Sequence, residues 1–123
     1  MRQPNWKRWE VILLVALYFR LQNHPEKTAA ECERLSKLLR RSNLDMALQS
    51  SAYRNVQGIR MKHQNIRYIV EGKGLSTFSK LDQLIVNYRN CDIGAFNDEL
   101  TRILDCIKEC DEQPSDPFSD QRS

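Results

Sequence analysis

Apolar residues recur at helical spacing along most of the chain, beginning at Trp6. Residues 6–22 predict a first helix, because Trp6, Trp9, Leu13 and Leu17 fall on one side of a 3.6-residue repeat. Residues 28–41 predict a second, amphipathic helix with Thr28 as its N-cap. Residues 43–49 predict a short helical turn before the next long element.

A third helix is predicted at residues 56–70 and is called the basic helix below. Asn55 precedes it as an N-cap, because its side-chain oxygen can accept from an amide of the first turn. Gly72 and Gly74 follow it, as expected where a helix ends in a left-handed cap.

Two further helices are predicted at residues 77–89 and 93–110, and no segment alternates as a half-buried strand would. The predicted fold is therefore all-α, with about five helices. The first three are expected to form a helix-turn-helix-like unit over residues 1–74, and the last two a helical hairpin that completes a single domain at residue 111. The acidic, proline-containing segment 112–123 is expected to be disordered.

The basic helix carries two stripes that its spacing separates. An apolar seam steps by three and four residues and should face the core; it consists of Val56, Ile59, His63, Ile66 and Val70. Polar residues on a neighbouring face follow the same steps; they are Gln57, Arg60, Gln64 and Arg67. The pattern predicts a helix that packs on one side and presents arginine and glutamine on another.

The charge of the chain is segregated along the sequence. Residues 1–74 contain fourteen lysines and arginines and six acidic residues, whereas residues 75–123 contain five and ten, and these sums give the net charge of +3. The basic helix lies in the positive part, where a polyanion would be expected to bind.

An arginine and glutamine face suits the major groove of DNA. Arginine can donate two hydrogen bonds to guanine and glutamine can pair with adenine. Arg60, Gln64 and Arg67 are expected to reach base edges, while Arg54, Lys62 and Lys73 are expected to contact phosphates. The predicted DNA-binding set is Arg54, Gln57, Arg60, Lys62, Gln64, Arg67 and Lys73. The alternative is that this face is an ordinary solvated helix surface.

Two segments together resemble a known family. They are W-x-x-x-E-x-I-L-L-V-x-x-Y-F-R at residues 6–20 and Y-R-N-V-Q-G-I-R-M-K-H-Q-N-I at residues 53–66. They look like the N-terminal domain that precedes the HNH nuclease module in McrA-like, modification-dependent restriction endonucleases, and the three-helix plan is similar to that of Myb/SANT-like modules. The family motif, approximately F-R-N-P-N-G-V-x-M-K-L-x-N-F, is matched by Arg54, Asn55, Gly58, Met61, Lys62 and Asn65.

The resemblance implies a DNA-recognition module of a restriction or phage-defence protein, with a nuclease as a partner or fused module. Plain duplexes and duplexes with modified cytosine both stay open as its target. It covers roughly the first seventy-five residues. Val56 departs from the motif, because the family has a proline there. The chain contains two histidines, His24 and His63, and neither lies in the setting that an HNH site requires, so no catalysis is expected. The rival hypothesis is a protein-interaction adaptor that uses the acidic fourth and fifth helices.

Other chemistry is not favoured by the residues present. Cys106 and Cys110 lie one helical turn apart, but a structural zinc site would need a second such pair, so Cys32, Cys91 and these two are expected to be buried thiols. No metal or cofactor is expected. His63 is expected to be a hydrogen-bonded core residue.

The apolar run at residues 11–19 is too short to span a bilayer. Arg20 follows it without a small-residue cleavage site, so a buried first helix is expected instead of a signal peptide. No membrane association and a cytoplasmic location are expected.

Overall fold

The computed structural model describes residues 5–112, with side chains to residue 108, and they form six α-helices and one 3₁₀ turn. The bounds are α1 Arg8–Leu21, the 3₁₀ turn Pro25–Lys27, α2 Thr28–Ser42, α3 Leu44–Gln49, α4 Val56–Glu71, α5 Lys80–Cys91 and α6 Ile93–Glu112. The all-α prediction is confirmed, and the described residues contain no strand.

Helix α1 lies at the centre of the domain. It packs against α4, α5 and α6, and it is apolar on nearly all sides, as a helix surrounded by others must be. One side carries Val11, Ile12 and Val15 into a cluster with α4, α5 and α6. The other carries Leu13, Leu14 and Leu17 toward α2 and α4. The nine-residue apolar run is thus the core helix of the fold.

Helix α4 is the basic helix, and its seam is buried as the spacing predicts. Ile59 and Ile66 have no exposed surface, and His63 is 9 % exposed. The side chain of Asn55 accepts a hydrogen bond from the Gly58 amide at 2.8 Å, so the predicted N-cap is confirmed. Gly72 ends the helix in the left-handed conformation, with φ of 77°.

Several boundaries and contacts differ from the predictions. Thr28 is the first residue of α2 and its hydroxyl donates to the Pro25 carbonyl, so it does not cap the helix. Helix α5 begins at Lys80 because Ser79 and Asp82 form a capping box. Leu84 on α5 and Leu104 on α6 are 54 % and 46 % exposed, although helices of this kind usually bury their leucines.

The connection between α2 and α4 is longer than a helix-turn-helix would have. Such a motif joins its helices by a turn of about three or four residues. Here residues 43–55 intervene, and the predicted helical turn is a six-residue helix, α3. An additional helix therefore lies between the second and third helices of the unit that the sequence predicted. The expected disordered segment 112–123 lies outside the described residues, apart from Glu112 at the end of α6.

The cysteines do not form the buried set that was expected. Cys32 is buried, but Cys91 and Cys106 are exposed, because α5 ends at Cys91 and Cys106 lies on an outer position of α6. The side chain of Cys110 lies outside the described region. Within the described residues, no group of three or more potential ligands could hold a metal ion. None of the described helices has both the length and the apolar character needed to cross a bilayer.

Candidate nucleic-acid interface

The outer face of α4 carries the centre of the predicted DNA-binding set. Gln57 and Arg60 are exposed and lie three residues apart on the helix. Within the part of the chain that the structure describes, no carboxylate forms an ion pair with Arg60, although its charge acts on the nearby Cys32 and His63. Arg60 therefore has guanidinium donors available to a ligand.

Gln64 and Arg67 continue the same face one turn later. Arg67 is 39 % exposed and lies 3.7 Å from Glu71, an i,i+4 contact on the helix surface. Its Nη1 donates to the Gln64 side chain at 3.5 Å, the outer limit for such a bond. Both contacts are long, so they restrain the guanidinium only weakly.

The loop after α4 folds back along this face. The Leu75 amide donates to the Gln64 carbonyl at 3.3 Å. Gly74 makes this approach possible, because a Cβ there would lie 2.6 Å from the Gln64 carbonyl oxygen. Leu75 and Met61, 39 % and 53 % exposed, therefore add apolar surface beside Gln57 and Arg60. Lys73, two residues after the end of α4, is exposed.

Arg54 does not have the predicted phosphate-contacting position. Its side chain is 2 % exposed and donates through Nε and Nη2 to both carboxylate oxygens of Glu10, at 3.0 and 2.9 Å. Its guanidinium also lies over the rings of Trp6 and Tyr53, 4.1 and 4.8 Å from their centres. A charge desolvated to this degree needs its partner, so Arg54 joins α1 to the segment before α4 and offers no surface to DNA.

The backbone of Arg54 is also unusual. Its φ is +46°, a left-handed value that non-glycine residues rarely adopt. The Ser36 hydroxyl on α2 donates to the Arg54 carbonyl at 2.6 Å. The residue therefore fixes the start of α4 against both α1 and α2.

Lys62 likewise lies in an internal ion pair. Its Nζ donates to both carboxylate oxygens of Asp82 at 2.7 Å, and Asp82 is completely buried. Asp82 also accepts from the Ser79 amide, so one carboxylate joins α4 to the start of α5. Lys62 is a structural residue here, and the phosphate contact expected of it has no geometric basis.

The residues that match the family motif thus support the fold. Arg54 and Lys62 each form a buried ion pair, and Asn55 caps α4. Gly58 accommodates that cap, because a Cβ there would lie 3.2 Å from the Asn55 side-chain oxygen. Asn65 is 6 % exposed, and its side-chain oxygen accepts from the Thr77 hydroxyl at 3.4 Å. Met61 is the exposed member of the motif.

The sequence did not indicate these pairings because their members are far apart. Asp82 follows Lys62 by twenty positions, and Glu10 precedes Arg54 by forty-four. Local spacing predicts which residues share a helix face, but it does not predict which distant carboxylate meets a lysine. The position of Leu75 beside Gln57 and Arg60 was also not predicted, and the adjacent Gly74 was the sequence feature that pointed to a close approach of the loop.

Comparison of the chain with models of protein families, with curated proteins and with solved structures gives no match.

Proposed function

We propose that the protein binds double-stranded DNA through the outer face of α4 and acts as a recognition or accessory module without catalysis of its own. The observation that carries the proposal is the exposed Arg60, which has no ion-pair partner among the described residues and lies with Gln57, Gln64 and Arg67 on one helix. Lys73 flanks this group as a phosphate contact. Arg54 and Lys62 are left out because both are in internal ion pairs.

The chemistry of this face suits the major groove of DNA. A single α-helix enters the major groove of B-form DNA, where bidentate contacts from arginine and glutamine each contribute about 1–3 kcal/mol of discrimination between bases. The family resemblance adds a restriction or phage-defence context and a nuclease partner or fused module. Duplexes with and without modified cytosine are the matched ligands that separate modification-dependent from ordinary recognition.

The experiment is a direct binding measurement with matched variants. Fluorescence anisotropy with a random-sequence duplex compares the wild type, Arg60→Ala and Arg34→Ala. Arg34 is an exposed arginine on α2 paired with Glu31, so its variant loses the same charge at another surface. We expect Arg60→Ala to weaken binding about tenfold and Arg34→Ala to change it less than about twofold. Equal effects of the two substitutions would reject α4 as the DNA-contacting surface.

The adaptor function is supported by a different surface. Leu84, Ile93 and Leu104 on α5 and α6 are 54 %, 51 % and 46 % exposed, and Asp98 and Asp105 are exposed on α6. Apolar side chains beside carboxylates suit a protein partner with a basic rim. Absence of duplex binding at low salt, together with loss of a protein partner in Leu104→Gln, would favour this function.

A further inference from the structure

A polar cavity lies behind the α4 face, between the end of α1, the start of α2 and the second half of α4. Its volume is about 500 Å³, within the range of small-ligand sites. Its polar lining includes Tyr18, Gln22, His63, Gln64, Arg67 and Glu71. The cavity thus collects ionisable and amide groups from two helices that are distant in sequence.

His63 is the most informative residue of this lining. It is 9 % exposed, and its Nε2 is buried without a hydrogen-bond partner among the described residues. The expectation of a hydrogen-bonded core histidine is therefore wrong at this atom. A buried polar atom without a partner costs free energy. His63 also lines the cavity, so a group bound there is one means of giving its imidazole a partner.

The second donor in the cavity is Arg67. Its contacts with Glu71 at 3.7 Å and with Gln64 at 3.5 Å leave most of its five N–H groups unused. The Tyr18 hydroxyl, in contrast, already has two hydrogen-bond partners. It donates to Glu71 and accepts from the Gln22 side-chain amide at 3.4 Å. Arg67 and His63 thus keep hydrogen-bonding capacity for a new partner in the cavity.

The electrostatic field at His63 favours a negative ligand. The positive charges of Arg67 and Arg60 both act on the imidazole, and the negative charge of Glu71 opposes them. Tyr18 faces the ring from α1, and burial raises its pKa to about 12, so it is neutral. Burial first, and then Arg67, lower the pKa of His63, which is therefore neutral near pH 7 and can donate one hydrogen bond.

We propose that this cavity is an oxyanion-binding site in which the Arg67 guanidinium and the His63 imidazole together hold a phosphate or sulfate-like group. A phosphate can come from a small metabolite or from a DNA backbone that lies on the adjacent α4 face, because Gln64 and Arg67 belong to both surfaces. The site does not depend on DNA binding, and a free anion tests it.

The test is an NMR titration of the full chain with sodium sulfate, with sodium chloride at matched ionic strength as the control. We expect saturable shifts of the His63 and Arg67 side-chain signals, at least tenfold weaker binding in Arg67→Gln, and unchanged binding in Arg34→Gln. Glu71→Gln should tighten binding several-fold, because it removes the opposing charge. The proposal is overturned by absence of saturation in the wild type or by equal affinity in Arg67→Gln.

The pH dependence is a readout that a purely structural histidine would not give. A bound anion stabilises the imidazolium, so sulfate should raise the pKa of His63 and bind more tightly as the pH falls from 8 toward 6. Sulfate keeps its charge over this range. An unchanged His63 titration at saturating sulfate would contradict the site.

Displacement of sulfate by a short duplex would identify the DNA backbone as the source of the anion, and independent binding would identify a small metabolite; both results support the site.

Discussion

Among single residues, Arg54 was predicted to contact phosphate but instead forms a buried ion pair with Glu10 that stabilises the fold. Both side chains are nearly inaccessible, and the guanidinium is enclosed by carboxylate and aromatic rings. Replacing Glu10 by glutamine would leave a buried cation without its counter-charge. We expect Glu10→Gln to lower the free energy of unfolding by about 3–5 kcal/mol in urea denaturation.

The matched control is Glu99→Gln. Glu99 also accepts two hydrogen bonds from an arginine, Arg8, at 2.9 and 3.0 Å, but that arginine is 47 % exposed. Solvent weakens such a pair, so we expect a change below about 1 kcal/mol. Similar decreases in the free energy of unfolding for Glu10→Gln and Glu99→Gln would show that burial does not determine how much the Glu10 ion pair stabilises the fold.

The two glycines after α4, Gly72 and Gly74, both have a positive φ but differ in the space around them. Gly72 has φ of 77°, and a Cβ added there would meet open space, whereas Gly74 has φ of 118° and a Cβ there would meet the Gln64 carbonyl at 2.6 Å. Both variants to alanine are strained, but Gly74→Ala must also move the loop. We expect Gly72→Ala to cost about 1 kcal/mol and Gly74→Ala clearly more, measured by thermal unfolding. Equal costs would show that the loop does not lie on Gln64.

At the scale of elements, α4 shows what sequence can and cannot predict. Its N-cap, its glycine cap and its buried seam follow from local physics, because each depends on residues within one or two turns. The inward positions of Lys62 and Arg54 do not, because their partners come from α5 and α1. Gln57 and Arg60 stay exposed as the spacing predicts, because no distant carboxylate among the described residues draws them inward.

Helix α3 gives a prediction at this scale, because a six-residue helix is not stable by itself. Arg40 on α2 donates to four backbone carbonyls at the end of α3 and in the turn that follows, those of Ala47, Ser50, Ser51 and Tyr53, at 2.6–3.3 Å. Arg40→Met should keep the aliphatic stem and remove these bonds. We expect amide exchange in α3 to accelerate at least tenfold, while α5 is unchanged. Uniform acceleration in both helices would show that Arg40 supports the whole domain instead.

For the whole molecule, the decrease in the free energy of unfolding at acidic pH should depend in part on His63. Burial lowers the pKa of the folded-state imidazole below its ordinary value of 6.5, so the neutral form is favoured on folding. The resulting stability is complete above pH 6.5 and is lost as the pH falls toward the folded-state pKa. We expect His63→Leu to be less sensitive to pH between 6.5 and 5 than the wild type in urea denaturation. Parallel curves would contradict this contribution.

The structure shows that several of the basic residues in the first part of the chain are not available to a polyanion. The basic part of the sequence predicts a polyanion surface, but Arg54 and Lys62 lie in buried ion pairs and Arg40 binds backbone carbonyls. The cations left on the outer face of α4 are Arg60 and Arg67, and Lys73 follows the helix in the next loop. The proposed interface is therefore small, and its phosphate contacts should be few.

This charge arrangement makes the salt dependence of duplex binding the most direct test of DNA binding by the outer face of α4. Each neutralised phosphate contributes about −0.9 to the slope of log affinity against log salt concentration. Lys73 is the expected phosphate contact, and Arg60 and Arg67 are expected at base edges, so the slope for the wild type should lie between about −1 and about −3. We expect the slope to be shallower by about one for Lys73→Ala. Absence of duplex binding at low salt, or a slope unaffected by Lys73→Ala, would contradict DNA binding by this face.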